Sequence, residues 1–199
     1  CIRDRWWFII LLIISFPLKA DNIFVEAESF DCRGGWVLDN QSMGQMGSPY
    51  LLAHGLGVPV ENASTVIRVE NGGKYRVWVR TRDWVKQWDQ TASPGRFELL
   101  LNGKALEVTF GTERAEWHWQ DGGTICLKTG ENRVELRDLT GFDGRCDAIF
   151  FTSALEMLPP DGKEELTVFR RNMLGLPENP EDAGEFDLVV VGGGIAGCC

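Results

Sequence analysis

Between Asp21 and Thr152 the chain runs in short stretches that alternate apolar and polar residues and break at Gly, Asn or Asp, a rhythm that fits β-sheet and excludes long helices. The clearest stretch is Tyr75-Arg76-Val77-Trp78-Val79-Arg80-Thr81-Arg82. Successive side chains on a strand point to opposite faces, so Tyr75, Val77 and Val79 share a core face and Arg76, Trp78, Arg80 and Arg82 lie on the other. Phe97-Glu98-Leu99-Leu100-Leu101 leads into Asn102-Gly103, a dipeptide that accepts the positive φ angles of a two-residue hairpin, with Ala105 to Phe110 as the return strand. Asn132 to Leu139 alternates again with Val134 and Leu136 inward, and Asp147 to Thr152 reads as a closing strand. Residues 22–152 are therefore predicted to form two packed antiparallel sheets.

The order of the short motifs carries a family resemblance. Glu26-Ala27-Glu28, Gly73-Lys74-Tyr75-Arg76-Val77, Leu101-Asn102-Gly103, Gly130-Glu131-Asn132-Arg133-Val134 and Asp147-Ala148-Ile149-Phe150 follow one another as in galactose-binding-like jelly rolls. The region resembles a carbohydrate-binding module of the family 6 or 35 type. The resemblance implies an all-β jelly-roll sandwich, neighbouring first and last strands, and a structural calcium site. Glu26 and Glu28, two apart on the predicted first strand, put their carboxylates on one face about 7 Å apart at the backbone. Together with Asp147 and backbone carbonyls they offer the hard oxygens that calcium takes. The plainer alternative is that all three are solvated, or partner Arg76 or Arg80.

Six Trp fall in this region: Trp36, Trp78, Trp84, Trp88, Trp117 and Trp119. Trp84 and Trp88 sit in the polar segment Asp83 to Ser93, which ends at Pro94-Gly95 and has loop composition, so they are the candidate platform for stacking a sugar ring. Their alternative role is to cover an interface with a following domain. Trp117 and Trp119, flanking His118, are expected on one strand face, as a glycan platform or as core. His54 and His118 are the only histidines, and neither they nor Ser42, Ser48, Ser64 and Ser93 sit in a nucleophile motif, so no catalytic constellation is visible.

The flanks differ in character. Arg3 and Arg5 precede an apolar run from Trp6 to Phe16, too short for a spanning helix of about 20 residues, and Ala20 is a small residue ahead of Asp21. Residues 1–20 read as a secretory signal, N-terminally incomplete because the first residue is Cys1, with a retained anchor as the alternative. Cleavage implies a secreted or periplasmic protein with no stable membrane span. In that compartment Cys32, Cys126 and Cys146 could supply one disulfide and one spare thiol; equally, all three fit as small buried apolar residues. A net charge of −9 with no basic stripe argues against nucleic acid as a partner. Residues 153–187 hold three basic and nine acidic side chains and read as a solvated connector, residues 153–185 being its span. Within it Leu166, Phe169 and Met173 predict a short helix from Lys163 to Met173, started by Asp161 or Gly162 and ended by Gly175.

The last stretch, residues 186–199, has a different grammar. The apolar run Leu188-Val189-Val190-Val191 feeds into Gly192-Gly193-Gly194-Ile195-Ala196-Gly197. A buried parallel strand followed by Gly-x-Gly-x-x-Gly is the pattern of a dinucleotide site. Gly192 permits the turn, Gly194 the approach of a pyrophosphate, and Gly197 the close packing of helix on strand, while Gly193 and Ala196 are the small residues between them. This segment resembles the opening of FAD-dependent oxidoreductases of the two-dinucleotide-fold type. With the signal and jelly roll upstream, the whole resembles secreted bacterial FAD-dependent oxidoreductases. The resemblance implies FAD as cofactor and the remainder of a flavin domain as partner, the present chain being an N-terminal portion that ends in a truncated Rossmann-type α/β domain. Some relatives bind a 4Fe-4S cluster through cysteines; Cys198 and Cys199 read as small packing residues. Residues 1–199 by themselves are expected to be inactive, because the ribose-binding acidic residue expected about 20 positions after Gly197 is not among them.

Overall fold

A computed structural model describes residues 20–189. Nearly all of the stretch read as a signal, and the glycine turn from Gly192 to Gly197, lie outside these residues.

Among the described residues the alternation resolves into ten strands in two antiparallel sheets, with a one-turn helix α1 (Met43–Met46) and a longer helix α2 (Lys163–Met173). The larger sheet contains β1 (Asn22–Glu26), β2 (Val37–Asp39), β3 (Tyr50–His54), β5 (Gly73–Thr81), β8 (His118–Leu127) and β10 (Phe142–Thr152). The smaller has the order β4 (Ala63–Val69), β9 (Gly130–Asp138), β6 (Phe97–Leu101), β7 (Lys104–Phe110). Between them lies the core, in which Tyr75, Val77, Val79, Phe97, Leu99, Phe110, Val134, Leu136, Ile149 and Phe151 are buried. The face predicted for β5 is thus the core face, and the predicted inward residues of β9 are there too. Asn102 and Gly103 have φ of 51° and 81°, the two positive angles that a tight β6–β7 hairpin requires.

β10 organises the larger sheet. One edge pairs with β5 from Cys146 to Thr152; the other pairs first with β3, from Phe142 to Cys146, and then with β1, from Ala148 to Thr152. First and last strands are therefore neighbours, and Glu26 lies opposite Ala148.

The outer face of this sheet is not left to solvent. Trp78 and Arg80, polar-side residues by alternation, are buried together with Trp119, Ala148 and Phe150. Their cover is α2 (Lys163–Met173), which spans the predicted residues and turns Leu166, Phe169 and Arg170 inward. Phe169 meets Phe150 edge-on at 5.1 Å between ring centroids and Phe24 at 5.8 Å. Burying one Leu and one Phe contributes about 3–6 kcal/mol before entropy is charged against it. Residues 153–187 are consequently a solvated connector only in part. Helix α2 belongs to the sandwich, giving three layers, whereas residues 174–189 are exposed.

Other expectations are corrected by the same geometry. Trp117 and Trp119 join separate outer clusters and form no common glycan platform: Trp117, just ahead of β8, packs with Tyr50, Leu52 and Met46, while Trp119 joins the layer under α2. Cys32, Cys126 and Cys146 are all free; Cys146 is buried and the other two are exposed. Leu188 and Val189, expected in a buried parallel strand, are exposed and outside any strand. No described helix is long and apolar enough to cross a membrane.

Candidate functional site

Two groups of residues stand apart from the core. One lies on the outer face, where the structure brings Glu26, Glu28 and Asp147 together, one oxygen of each within 4.8 Å of the others. The route differs from a simple strand. β1 ends at Glu26, and Glu28 lies in the 3₁₀ turn Ala27–Ser29 that follows it. Asp147 is the extra residue of a bulge in β10, between Cys146 paired with Thr81 and Ala148 paired with Arg80. A bulge re-aims a side chain, and here it sets the Asp147 carboxylate 3.2 Å from Arg80 Nε.

A further residue reaches this cluster from outside the strands. Arg170 of α2 spans it, donating from Nη1 to Asp147 Oδ2 at 2.9 Å and from Nε to Glu26 Oε1 at 3.2 Å, and pairing through Nη2 with Glu26 Oε2 and Ser48 Oγ. Ser48 Oγ in turn donates to Asp147 Oδ1 at 3.3 Å. Both oxygens of Glu26 and both of Asp147 are thus engaged by this chain's own donors, while Glu28 Oε2 is buried without a partner. Desolvation outweighs the pull of Arg170 and, with repulsion from Glu28 and Asp147, lifts the Glu26 carboxyl to about 7. Burial likewise raises Glu28 and Asp147. Burial works against the charge on Arg170, yet Asp147 and Glu26 hold its guanidinium above the ordinary value. Three carboxyl groups face the Arg170 and Arg80 guanidiniums, and Arg80 also serves Asp161, so negative charge is in excess here. Calcium needs six to eight oxygens free to converge, so the ion does not fit these residues with Arg170 in place.

The second group is at one end of the sandwich, where loops β3–β4, β5–β6 and β9–β10 meet. The β5–β6 loop carries Trp84 and Trp88, whose rings meet edge-on at 6.2 Å. Trp88 is 72% exposed and Trp84 half-buried. Trp84 Nε1 donates to the carbonyl of Phe142 at 3.3 Å, and the Arg145 guanidinium lies 5.5 Å from the centre of its ring. Phe142, itself exposed, rests on Gly57, where a Cβ would come within 3.0 Å of the ring. Beside it His54 Nδ1 meets Asp143 Oδ1 at 2.6 Å.

The loop is held rather than loose. Asp89 Oδ1 accepts from Thr91 N at 2.8 Å and Thr91 Oγ1 at 2.6 Å, hydrogen bonds that hold its carboxyl below the usual range. Lys86 Nζ donates to the carbonyls of Gln90 and Ala92, and Trp88 N to that of Val85. The composition of the segment marks a loop with two Trp; Phe142 and Arg145, from the far end of the sequence, carry no signal of their own.

No family model matches the sequence, and no curated protein does. Solved structures do match its fold. The chain is similar to the Podospora anserina GH26-CBM35 β-(1,4)-mannanase at 21% identity and TM-score 0.52, covering 70% of this chain and 29% of that one, so it spans under a third of the mannanase. It is similar to a family 35 carbohydrate-binding module from Clostridium thermocellum, with 16% identity, TM-score 0.51, and 66% and 97% of the two chains covered. The C-terminal CBM6 of LamC, a laminarinase from Zobellia galactanivorans, gives 17% identity, TM-score 0.51 and coverages of 67% and 100%. The β-domain accordingly has the jelly-roll sandwich fold of family 35 and family 6 carbohydrate-binding modules.

Proposed function

We propose that the sandwich is a carbohydrate-binding module whose ligand site is the loop end carrying Trp84 and Trp88. The observation that carries this reading is Trp88, a large ring 72% exposed on a loop pinned by its own hydrogen bonds. An exposed aromatic face offers apolar area for the C–H face of a pyranose, and a pre-ordered loop loses little entropy on binding. Around it the Arg145 guanidinium, the His54–Asp143 pair and the loop carbonyls offer hydrogen bonds to hydroxyls. The fold shared with solved carbohydrate-binding modules supports the same reading. Titrating purified protein with plant and host glycans while following Trp fluorescence tests it. One glycan class should change the signal, and Trp88→Ala should weaken binding about tenfold or more, which is about 1.4 kcal/mol. A silent titration across the panel overturns the proposal.

A second reading concerns the last residues and rests on their motif. Leu188 to Gly197 has the apolar run and glycine spacing of an FAD pyrophosphate turn, and on that motif we propose the sandwich as an accessory module of a secreted FAD-dependent oxidoreductase. The flavin would supply electron transfer, and this segment its phosphate-binding turn. Flavin absorbance in a product of the same gene extended past residue 199, lost with Gly194→Val, is the expected result. A flavin-free extended product counts against it.

A further inference from the structure

We infer that Arg170 is the resident cation of the Glu26–Glu28–Asp147 cluster, so that the intact chain needs no metal there and α2 is locked onto the sandwich by the charge it delivers. Three observations converge on this. First, Arg170 is 6% exposed and its guanidinium touches Glu26, Asp147 and Ser48, which come from the end of β1, the bulge of β10 and the loop before β3. It thus ties together the same separated segments that a bound ion would join. Second, Arg170 stands within the apolar stripe of α2, at the position after Phe169 and four after Leu166, where a helix packed on a sheet ordinarily carries another apolar residue. Third, the approach to α2 is clamped independently. Arg80 Nη1 donates to Asp161 Oδ1 at 3.0 Å, and Trp119 Nε1 to the carbonyl of Pro160 at 3.0 Å.

A guanidinium suits this place for a physical reason. Its planar fork engages two carboxylates at once without the full dehydration that a small divalent ion demands. Because it is covalently attached, it is present at unit occupancy in any ionic condition. The helix that carries it is then a part of the β-domain, and the domain extends past Thr152 to about Gly175.

Thermal denaturation of the full chain in chelator and in millimolar calcium provides the test. The native protein should melt at the same temperature, within about 1 °C, in both. Arg170→Met should melt about 10 °C lower in chelator, since removing one partner strands buried carboxylates. Calcium should then raise the melting temperature of this variant, because the vacated cluster has become a site for a free cation. Arg170→Lys, which keeps the charge and loses the fork, should fall between. The proposal is overturned if the native protein loses stability in chelator, if Arg170→Met is as stable as the native chain, or if calcium leaves that variant unchanged. Should Arg170→Met fail to fold, Trp-sensitised terbium luminescence on the native protein decides: silence supports the proposal, and saturable binding abolished by Asp147→Asn refutes it.

Discussion

Counting back from Ile149 and Phe151, which face the core, strict alternation would turn Asp147 inward; the single extra residue of the β10 bulge instead places it beside Arg80 and Arg170. Its partnership with Glu26 was legible from the order of motifs, because a sandwich that pairs its first and last strands must bring them together. Arg170 was not, since the net acidity of residues 153–187 made the segment look solvated. The signal was nonetheless present as an Arg inside the Leu166–Phe169–Met173 stripe. The protonation of this group has a consequence for stability. Glu26, facing Glu28, Asp147, Arg170 and, across Asp147, Arg80, is raised from 4.5 to about 7. A folded chain that holds a proton which the unfolded chain releases is stabilised fully below 4.5 and loses that contribution as pH rises through 7. Melting temperature should therefore fall from pH 5 to pH 8, by an amount on the order of 1–3 kcal/mol of stability. Glu26→Gln should flatten the profile; an unchanged slope in that variant would assign the proton elsewhere.

The strands of the sandwich were readable wherever one face met the core and a turn residue marked the end, as in β5, in β9 and at the Asn102-Gly103 hairpin. Short β2 and β3 carry no such mark, because Val37-Leu38-Asp39 and Tyr50-Leu51-Leu52-Ala53 lack alternation: β3 is buried on both faces. Alternation puts Trp78 and Arg80 on the outer face, where they lie, but cannot say that a helix covers it. That helix is held by packing as well as by charge, and the two contributions separate experimentally. Phe169 contacts Phe24, Trp119 and Phe150, so Phe169→Ala should cost about 3–5 kcal/mol. Because the Arg170 contacts remain in that variant, its melting temperature should stay indifferent to calcium. Amide exchange would show α2 opening ahead of the strands in Phe169→Ala, and equal protection of α2 in both proteins would mean that its packing contributes little.

Seen entire, the described chain divides by burial and not by charge: an ordered body from Asp21 through α2, and an exposed acidic tail from Leu174 to Val189. Composition places the end of the connector at residue 185 and the end of the sandwich at Thr152. The second boundary falls too early, because the residues that close the outer layer come after the last strand. Protease sensitivity follows burial and hydrogen bonding of the backbone, so the two placements make different predictions. A connector that was solvated throughout would be cut soon after Thr152, at Leu155, Leu158 or Lys163, and would release a stable sandwich. With Arg80, Trp119 and the carboxylate cluster all clamping residues 160–170, limited proteolysis should instead cut between Leu174 and Val189 and leave a fragment that ends near Gly175. That fragment should keep the melting temperature of the parent and its response to glycans, which depends on loops at the end of the sandwich. Mass spectrometry of the resistant core identifies its terminus. A core ending before Lys163 with undiminished stability would separate α2 from the domain and remove the basis for the internal cation as well.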